Sequence, residues 1–419
     1  MANSRPNCGL RGGGRGDCLR LSRFKSRQVN VRRNRQCLRR SASADLPDKM
    51  INTGVDRTEV RESWDTLMRW SRIFRTRSNG KNEVSDVNKI AVLGGGSFGT
   101  AVGTALARQS QELDVVMLLR DADLVEDINN RHCNTRYLED FRLPTNLRAT
   151  TNKVDAIYGA EYAVHAVPVQ HSRQFLRSIK HLLPQNVPVI SVSKGLESDS
   201  CQMMSELIRS ALERRQPSVF MSGPSFAREI MERRPTSFVA ASRDRKLARR
   251  IQQLFASQYV RVNTSADVVG VEVCGATKNV LAIAAGIVEG LDLGHNAMAG
   301  LIAQGCSEIR WLSKKMGARP ETVAGLSGLG DIMLTCYGDL SRNRTVGLRL
   351  GKGESLSEIL ETSTQVAEGV ATAGAVIGLA RKYKVQLPVL TAVAQVLDGN
   401  LTPSVAVEEI MNLPQIEEH

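Results

Sequence analysis

At 419 residues the chain is long enough for two domains with separate cores. Its net charge of +13 resembles that of a nucleic-acid binder until it is located: residues 1–44 hold twelve Lys or Arg against the single acid Asp17, leaving only +2 for the remainder. That excludes a basic groove in the folded part, and with no apolar secretory core and no clean apolar run near the ~18 residues a bilayer needs, no membrane span is expected either.

The first 44 residues are Arg-rich, acid-poor and sprinkled with Ser, and show no hydrophobic periodicity. These are the marks of an organelle transit peptide, and the segment is set aside from fold reasoning. The competing reading is a disordered basic tail that binds RNA or membrane. Residues 45–86 mix charges around one apolar patch, Trp64–Phe74, which reads as a short helix before a linker. Eight cysteines (Cys8, Cys18, Cys37, Cys133, Cys201, Cys274, Cys306, Cys336) are scattered without a C-x-x-C pair. With six dispersed histidines, neither a metal site nor a disulfide framework is expected, and the thiols read as free.

The organising stretch follows. Lys89–Leu93 reads as a buried strand, Gly94, Gly96 and Gly99 spell G-x-G-x-x-G, and Thr100–Arg108 continues as a small-residue helix. Strand, glycine turn and helix in that order make a dinucleotide site. Gly94 allows the tight turn, Gly96 lets a pyrophosphate approach the main chain, Gly99 lets helix and strand pack, and the helix N-terminus attracts phosphate. A second strand, Leu113–Leu119, ends at Arg120. An acid there would accept from the adenosine ribose, whereas a base would face a 2′-phosphate, so Arg120-Asp121 leaves NAD and NADP both open.

Strands at Glu161–Val167 and Val187–Ser193 alternate with helices at Ser172–Leu183 and Ser200–Arg214, which predicts a doubly wound parallel sheet. Ligands of such sheets bind beyond the carboxyl ends of the strands, where Lys194 falls. Val219–Ala227 runs from a strand into a Gly-Pro-Ser turn at the same edge. Thr236–Ala241, Asp244–Phe255 and Val260–Asn263 add strand, helix and strand, bringing the sheet to roughly eight strands.

From Asp267 the strands stop and helical periodicity runs to the end. Val268–Leu291 is an apolar helix with one charge near its middle, Lys278, which is costly to bury unless paired or used in proton transfer. Glu272 and Asn279 on the same element are its candidate partners. Gly325–Leu334 resembles a second glycine loop, but no strand precedes it; a helix-capping turn that brings Asp331 to the interdomain cleft is expected instead. Ser341-Arg342-Asn343-Arg344 offers planar, multi-donor recognition of a phosphate dianion. Val366–Gly369 interrupts the helical pattern, and helices continue over Ala373–Tyr383, Val389–Asp398 and Ser404–Leu413. The expected organisation is a Rossmann-like α/β dinucleotide domain over 87–266 and an all-α substrate domain over 267–419.

Read in order, GGGSFGTA, AVPVQ, SVSKG, SGPSFA, EVCGATKNV, GLGD, SRNR and VAEG span Lys89 to Leu413. This set resembles glycerol-3-phosphate dehydrogenase of the bacterial and plastid type. The resemblance implies NAD, with NADP as the other option, and dihydroxyacetone phosphate or sn-glycerol 3-phosphate as the small-molecule substrate. It places Ser97, Phe98, Arg120, Ala227, Val366 and Glu368 at the cofactor beside Gly94, Gly96 and Gly99, with Phe98 where many members carry Trp. Gly223, Ser225, Asp331, Ser341, Arg342 and Asn343 would form the substrate site. Lys194 and Arg342 would meet both ligands, and Lys278 would be the proton donor and acceptor. No nucleic acid and no metal are implied, a homodimer is left open because periodicity does not give the oligomeric state, and the leader would target a plastid, with a mitochondrion as the alternative. The rival readings are a two-domain hydroxyacid dehydrogenase and a catalytically silent NAD(P) sensor; a short-chain dehydrogenase is excluded because no Tyr-x-x-x-Lys occurs.

Overall fold

Strand β1 (Lys89–Leu93) is buried over its last four residues and pairs on both sides, with β2 (Asp114–Leu118) and with β6 (Tyr162–His165), all parallel. In the computed structural model, residues 87–363, 367–414 and 417 are described. The Arg-rich leader, the helix expected over Trp64–Phe74 and Val366 lie outside the described residues.

Between β1 and β2 runs α1 (Ser97–Ala107). After β2 come α2 (Ala122–Glu126), a π-helical turn at Asp127–Arg131, the hairpin β3 (Cys133–Asn134) and β4 (Leu138–Arg142), then β5 (Leu147–Thr150) and α3 (Lys153–Ile157). Past β6 the chain forms α4 (Val169–Ile179), β7 (Val189–Ser191), α5 (Met204–Leu212), β8 (Ser218–Ser222), α6 (Ala227–Met231), β9 (Thr236–Ala241), α7 (Arg245–Phe255) and β10 (Val260–Ser265). The sheet has eight strands in the order β10-β9-β8-β7-β6-β1-β2-β5. From β5 to β8 this is the dinucleotide-fold order, in which the chain leaves β1 in one direction, then returns to build in the other, opening a crevice between β1 and β6.

Two features depart from the sequence expectation. The sheet is not parallel throughout, because β9 runs antiparallel to β8. The link between them carries only the five-residue α6, and it returns the chain to the same edge. The eighth strand, β5, has no strong apolar signature: only Leu147 and Ala149 are buried, while Arg148 between them is held by Asp155 at 2.9 Å and Asp114 at 3.3 Å.

Strands end at Ser265, and helices follow: α8 (Val268–Gly290), α9 (Gly294–Lys315), α10 (Pro320–Val323), a π-helical turn at Leu326–Gly330, α11 (Asp331–Tyr337), α12 (Arg342–Gly351), α13 (Leu356–Thr362), α14 (Glu368–Tyr383), α15 (Pro388–Leu397) and α16 (Pro403–Met411). Helix α14 starts five residues earlier than its apolar pattern indicated, since Glu368 and Gly369 belong to its first turn. Helix α8 is long and apolar enough to cross a bilayer, yet 94% of its apolar window is buried inside the protein. It is the axis of the helical core, apolar all round because neighbours surround it.

Its closest neighbour is α12, and glycine permits the approach. A Cβ on Gly286 would sit 2.0 Å from the Arg344 carbonyl oxygen, and one on Gly347 would sit 1.9 Å from that of Ile283. The two backbones therefore touch, which fixes the start of α12 against the middle of α8. Replacing Gly347 with Ala should force these helices apart and lower unfolding free energy by about 1–3 kcal/mol. Denaturant unfolding of the variant checks this, and an unchanged midpoint would show that the contact bears no strain.

Candidate active site

The glycine loop closes the crevice at β1. Gly94 has φ +118, and a Cβ there would lie 2.7 Å from the Ala166 carbonyl oxygen just past β6. Nothing lies within 4 Å of a Cβ placed on Gly96, so the space a phosphate needs is open above the main chain. No side chain caps α1, whose positive end faces that space. Ser97 opens the helix, and the ring of Phe98 meets that of Phe238 edge-on, 6.4 Å between centroids. Arg120 is exposed just beyond β2. Its neighbour Asp121 is committed to capping α2, accepting from the Asp123 and Leu124 amides at 3.1 and 3.2 Å.

At the carboxyl edge of β7 and β8 the sheet meets the helical core in a buried charge cluster. Asp331, 1% exposed, is the first residue of α11, set there by the π-helical turn before it. Lys278 Nζ donates to Asp331 Oδ1 at 2.8 Å and to Thr335 Oγ1 at 2.7 Å. Lys194 Nζ donates to Asp331 Oδ2 at 2.7 Å and to the Gly223 carbonyl at 3.2 Å, and Ser222 Oγ also donates to Oδ2 at 3.2 Å. One carboxylate thus holds two ammonium groups and leaves a positive charge uncompensated. Burial opposes the charge on Asp331, but the two lysines outweigh it and keep the carboxyl below its ordinary value. Burial, with repulsion from Lys278, pushes Lys194 down to about 8 against the attraction of Asp331. Glu368 faces the same space: burial raises its carboxyl while Arg342, Lys278 and Lys194 pull it back.

Neither Glu272 nor Asn279, the partners expected from the sequence, pairs with Lys278. Glu272 accepts instead from the Ser205 amide at 2.8 Å, and Asn279 accepts from Asn343 Nδ2 at 3.1 Å. Six residues along a helix turn a side chain far from Lys278 and one residue turns it by about 100°, so neither shares its face. The partner comes from 53 residues downstream. Thr335 and Ser222 were also missed, although Thr335 lies four residues after Asp331 and so on its face of α11.

Asn343 is buried, and both ends of its amide are used: Nδ2 donates to Asn279, and Oδ1 accepts from the Gly369 amide at 2.8 Å. It joins α8, α12 and α14. Ser341 caps α12 by accepting from the Arg344 amide at 3.3 Å. Arg344 pairs with Glu289 at 2.7 Å and Asp339 at 3.0 Å, whereas Arg342 is exposed at the helix start within the field of Glu368. Gly223 has φ +132, Ser225 Oγ donates to its carbonyl at 2.9 Å, and Ala227 begins α6 beside them.

A dinucleotide crevice opening beside a lysine–aspartate–lysine cluster, with the sheet on one side and a helical core on the other, defines a two-domain nicotinamide-dependent dehydrogenase. Within that class the chain matches the family models described as NAD-dependent glycerol-3-phosphate dehydrogenase N-terminus over residues 89–248 and C-terminus over 267–408, and it belongs to that family. It is similar to the chloroplastic glycerol-3-phosphate dehydrogenase [NAD(+)] 2 of Arabidopsis thaliana, 57% identical over 375 residues, covering 89% of each chain. The NAD(P)+ enzyme of Oleidesulfovibrio alaskensis is 44% identical, matched over 100% of its length by 79% of this chain. Among solved structures, the glycerol-3-phosphate dehydrogenase of Coxiella burnetii aligns with a TM-score of 0.75 at 34% identity, covering 78% of this chain and 99% of its own.

Asp331→Asn leaves two buried ammonium groups without their counter-ion and should cost about 3–5 kcal/mol of stability. In the unaltered protein, Lys194 loses its charge as pH rises through about 8, well below the usual lysine range. KM for an anionic substrate should therefore be flat near pH 7 and climb above pH 8; a flat profile to pH 9.5 would detach Lys194 from substrate binding.

Proposed function

We propose that this enzyme interconverts dihydroxyacetone phosphate and sn-glycerol 3-phosphate with the reacting carbon held at the Lys278–Asp331–Lys194 cluster. The observation that carries the reading is the single buried carboxylate gripping two lysines, one from each side of the crevice.

The loop fits a dinucleotide: open space over Gly96, a positive-φ turn at Gly94 and an uncapped helix start suit a pyrophosphate. Ser97, Phe98, Arg120, Ala227, Lys194, Arg342, Val366 and Glu368 would complete its surroundings. When bound, the reduced nicotinamide supplies the hydride for C2 of the ketone. Lys278, oriented by Asp331 and Thr335, donates a proton to the C2 oxygen as negative charge builds there, and in the reverse direction takes it back. Lys194 adds positive potential on the other side of the same oxygen. Arg342 grips the phosphate at the N-terminus of α12, where the helix dipole also favours a dianion. Ser341 and Asn343 fix that helix start, and the Gly223–Ser225 turn shapes the near wall.

We place the leader at 1–44, a linker at 45–86 and the domain boundary at Asp267. The transit-like leader, with the chloroplastic relatives of Arabidopsis thaliana and Oryza sativa, supports the plastid, where the product would supply glycerolipid backbones. A homodimer is the expected assembly. NAD is the assigned cofactor; the exposed Arg120, beside an aspartate already used as a cap, supports acceptance of NADP as well.

Lys278→Ala should lower kcat by 10²-fold or more while the dissociation constant for NADH, read by fluorescence titration, is unchanged. Turnover near that of the parent enzyme would remove Lys278 from the chemistry. Arg120→Ala should raise KM for NADPH several-fold more than KM for NADH; equal effects would mean that Arg120 does not face the adenosine 2′ position.

A further inference from the structure

Helix α7 carries a charge pattern that the fold does not need. Its buried face, Leu247, Ala248, Ile251, Leu254 and Phe255, packs on β9 and β10. Its outer face shows Arg245, Lys246, Arg249 and Arg250, all exposed. At 100° per residue these four fall within about 140° of arc. None of the four side chains makes an ion pair or hydrogen bond among the described residues, whereas Arg228 and Arg234 pair with Asp140 and Glu232. The arrangement works against the helix. Arg245/Arg249 and Lys246/Arg250 are like-charge pairs four residues apart, and Arg245 and Lys246 sit in the first turn at the positive end of the dipole, where the N-cap Asp244, bonded to the Lys246 and Leu247 amides, is the one acid. A sequence that sets local stability aside in this way points to a use outside the fold.

The patch is placed so that docking would leave the active site open. Because β9 runs antiparallel to β8, its carboxyl end returns toward the amino end of β8, where Ser242 Oγ donates to the Ser218 carbonyl. Helix α7 starts just beyond, at the sheet edge opposite Ser222 and Gly223. The outer face has no apolar or aromatic residue to seed the dry centre of a protein interface, and a single convex helix offers no groove for a nucleic-acid strand. A diffuse negative surface needs neither.

We propose that this face of α7 docks the enzyme on an anionic lipid surface. Each cation adds to attraction within a Debye length of such a surface, and four act together without specific stereochemistry. The product is a soluble diol phosphate whose conversion to membrane material requires acyl transfer, so its release beside a bilayer shortens the path to that class of reaction.

The test uses the compact unit Ser78–His419, since the Arg-rich leader would itself bind anionic vesicles. This unit contains both family regions, and a kcat/KM equal to the full chain's checks that it is intact. Flotation with vesicles of 30% phosphatidylglycerol in phosphatidylcholine is compared with pure phosphatidylcholine, for the parent and for R245Q/K246Q/R249Q/R250Q. The parent should bind only the anionic vesicles and be released by 0.5 M salt. The variant should bind at least a hundredfold more weakly, by about tenfold for every one to two cations removed, with unchanged kcat/KM and an equal or higher Tm. Absence of parent binding, equal binding by the variant, or tighter binding of the parent to duplex DNA or RNA than to the anionic vesicles overturns the proposal.

Discussion

Everything at the active site depends on one carboxylate. Asp331 meets Lys278 from the axial helix α8 through one oxygen, and Lys194 from the end of β7 through the other. Burying any of these three charges alone would be prohibitive; buried together, they fix one another's position and leave a net positive site. The same contact ties the sheet to the helical core. In the proposed mechanism, stability and chemistry are therefore carried by the same three side chains.

The scaffold serves that contact from two directions. On the sheet side, the reversal of strand order at β1 and β6 opens the crevice, and the parallel run to β8 lines up Lys194 and Ser222 at its edge. On the helical side, direct backbone approach between α8 and α12 sets Asn343 against Asn279, and Asn343 in turn receives the Gly369 amide of α14. Arg342, one residue earlier, is presented at the helix start by that network. Under the proposed function, a phosphate there would meet a guanidinium on a helix start fixed by its neighbours.

Local chemistry was readable from the chain. A strand, a glycine turn and a helix are contiguous, and so the turn at Gly94, Gly96 and Gly99 declares itself; a lysine amid small aliphatic residues likewise marks Lys278 as needing a partner, which it has. The pairing of Lys278 was not readable, because helix periodicity speaks only to near neighbours and Asp331 is 53 residues away. For the same reason the antiparallel turn of β9 was missed: strand propensity gives Thr236–Ala241 no direction, and direction comes from the short α6 link. Strand β5 was hidden by Arg148, whose charge is answered by Asp114 and Asp155 from other segments. In each case the missing information was a tertiary partner.

The shared carboxylate is tested most directly by a double-mutant cycle on kcat/KM with Asp331→Asn and Lys194→Met. If Asp331 works by holding Lys194 and Lys278 together, the two losses overlap, and the double variant should be better than their product by more than tenfold, about 1.4 kcal/mol of coupling. Losses that simply multiply would mean that the two residues act independently and that the bridge does not organise the site.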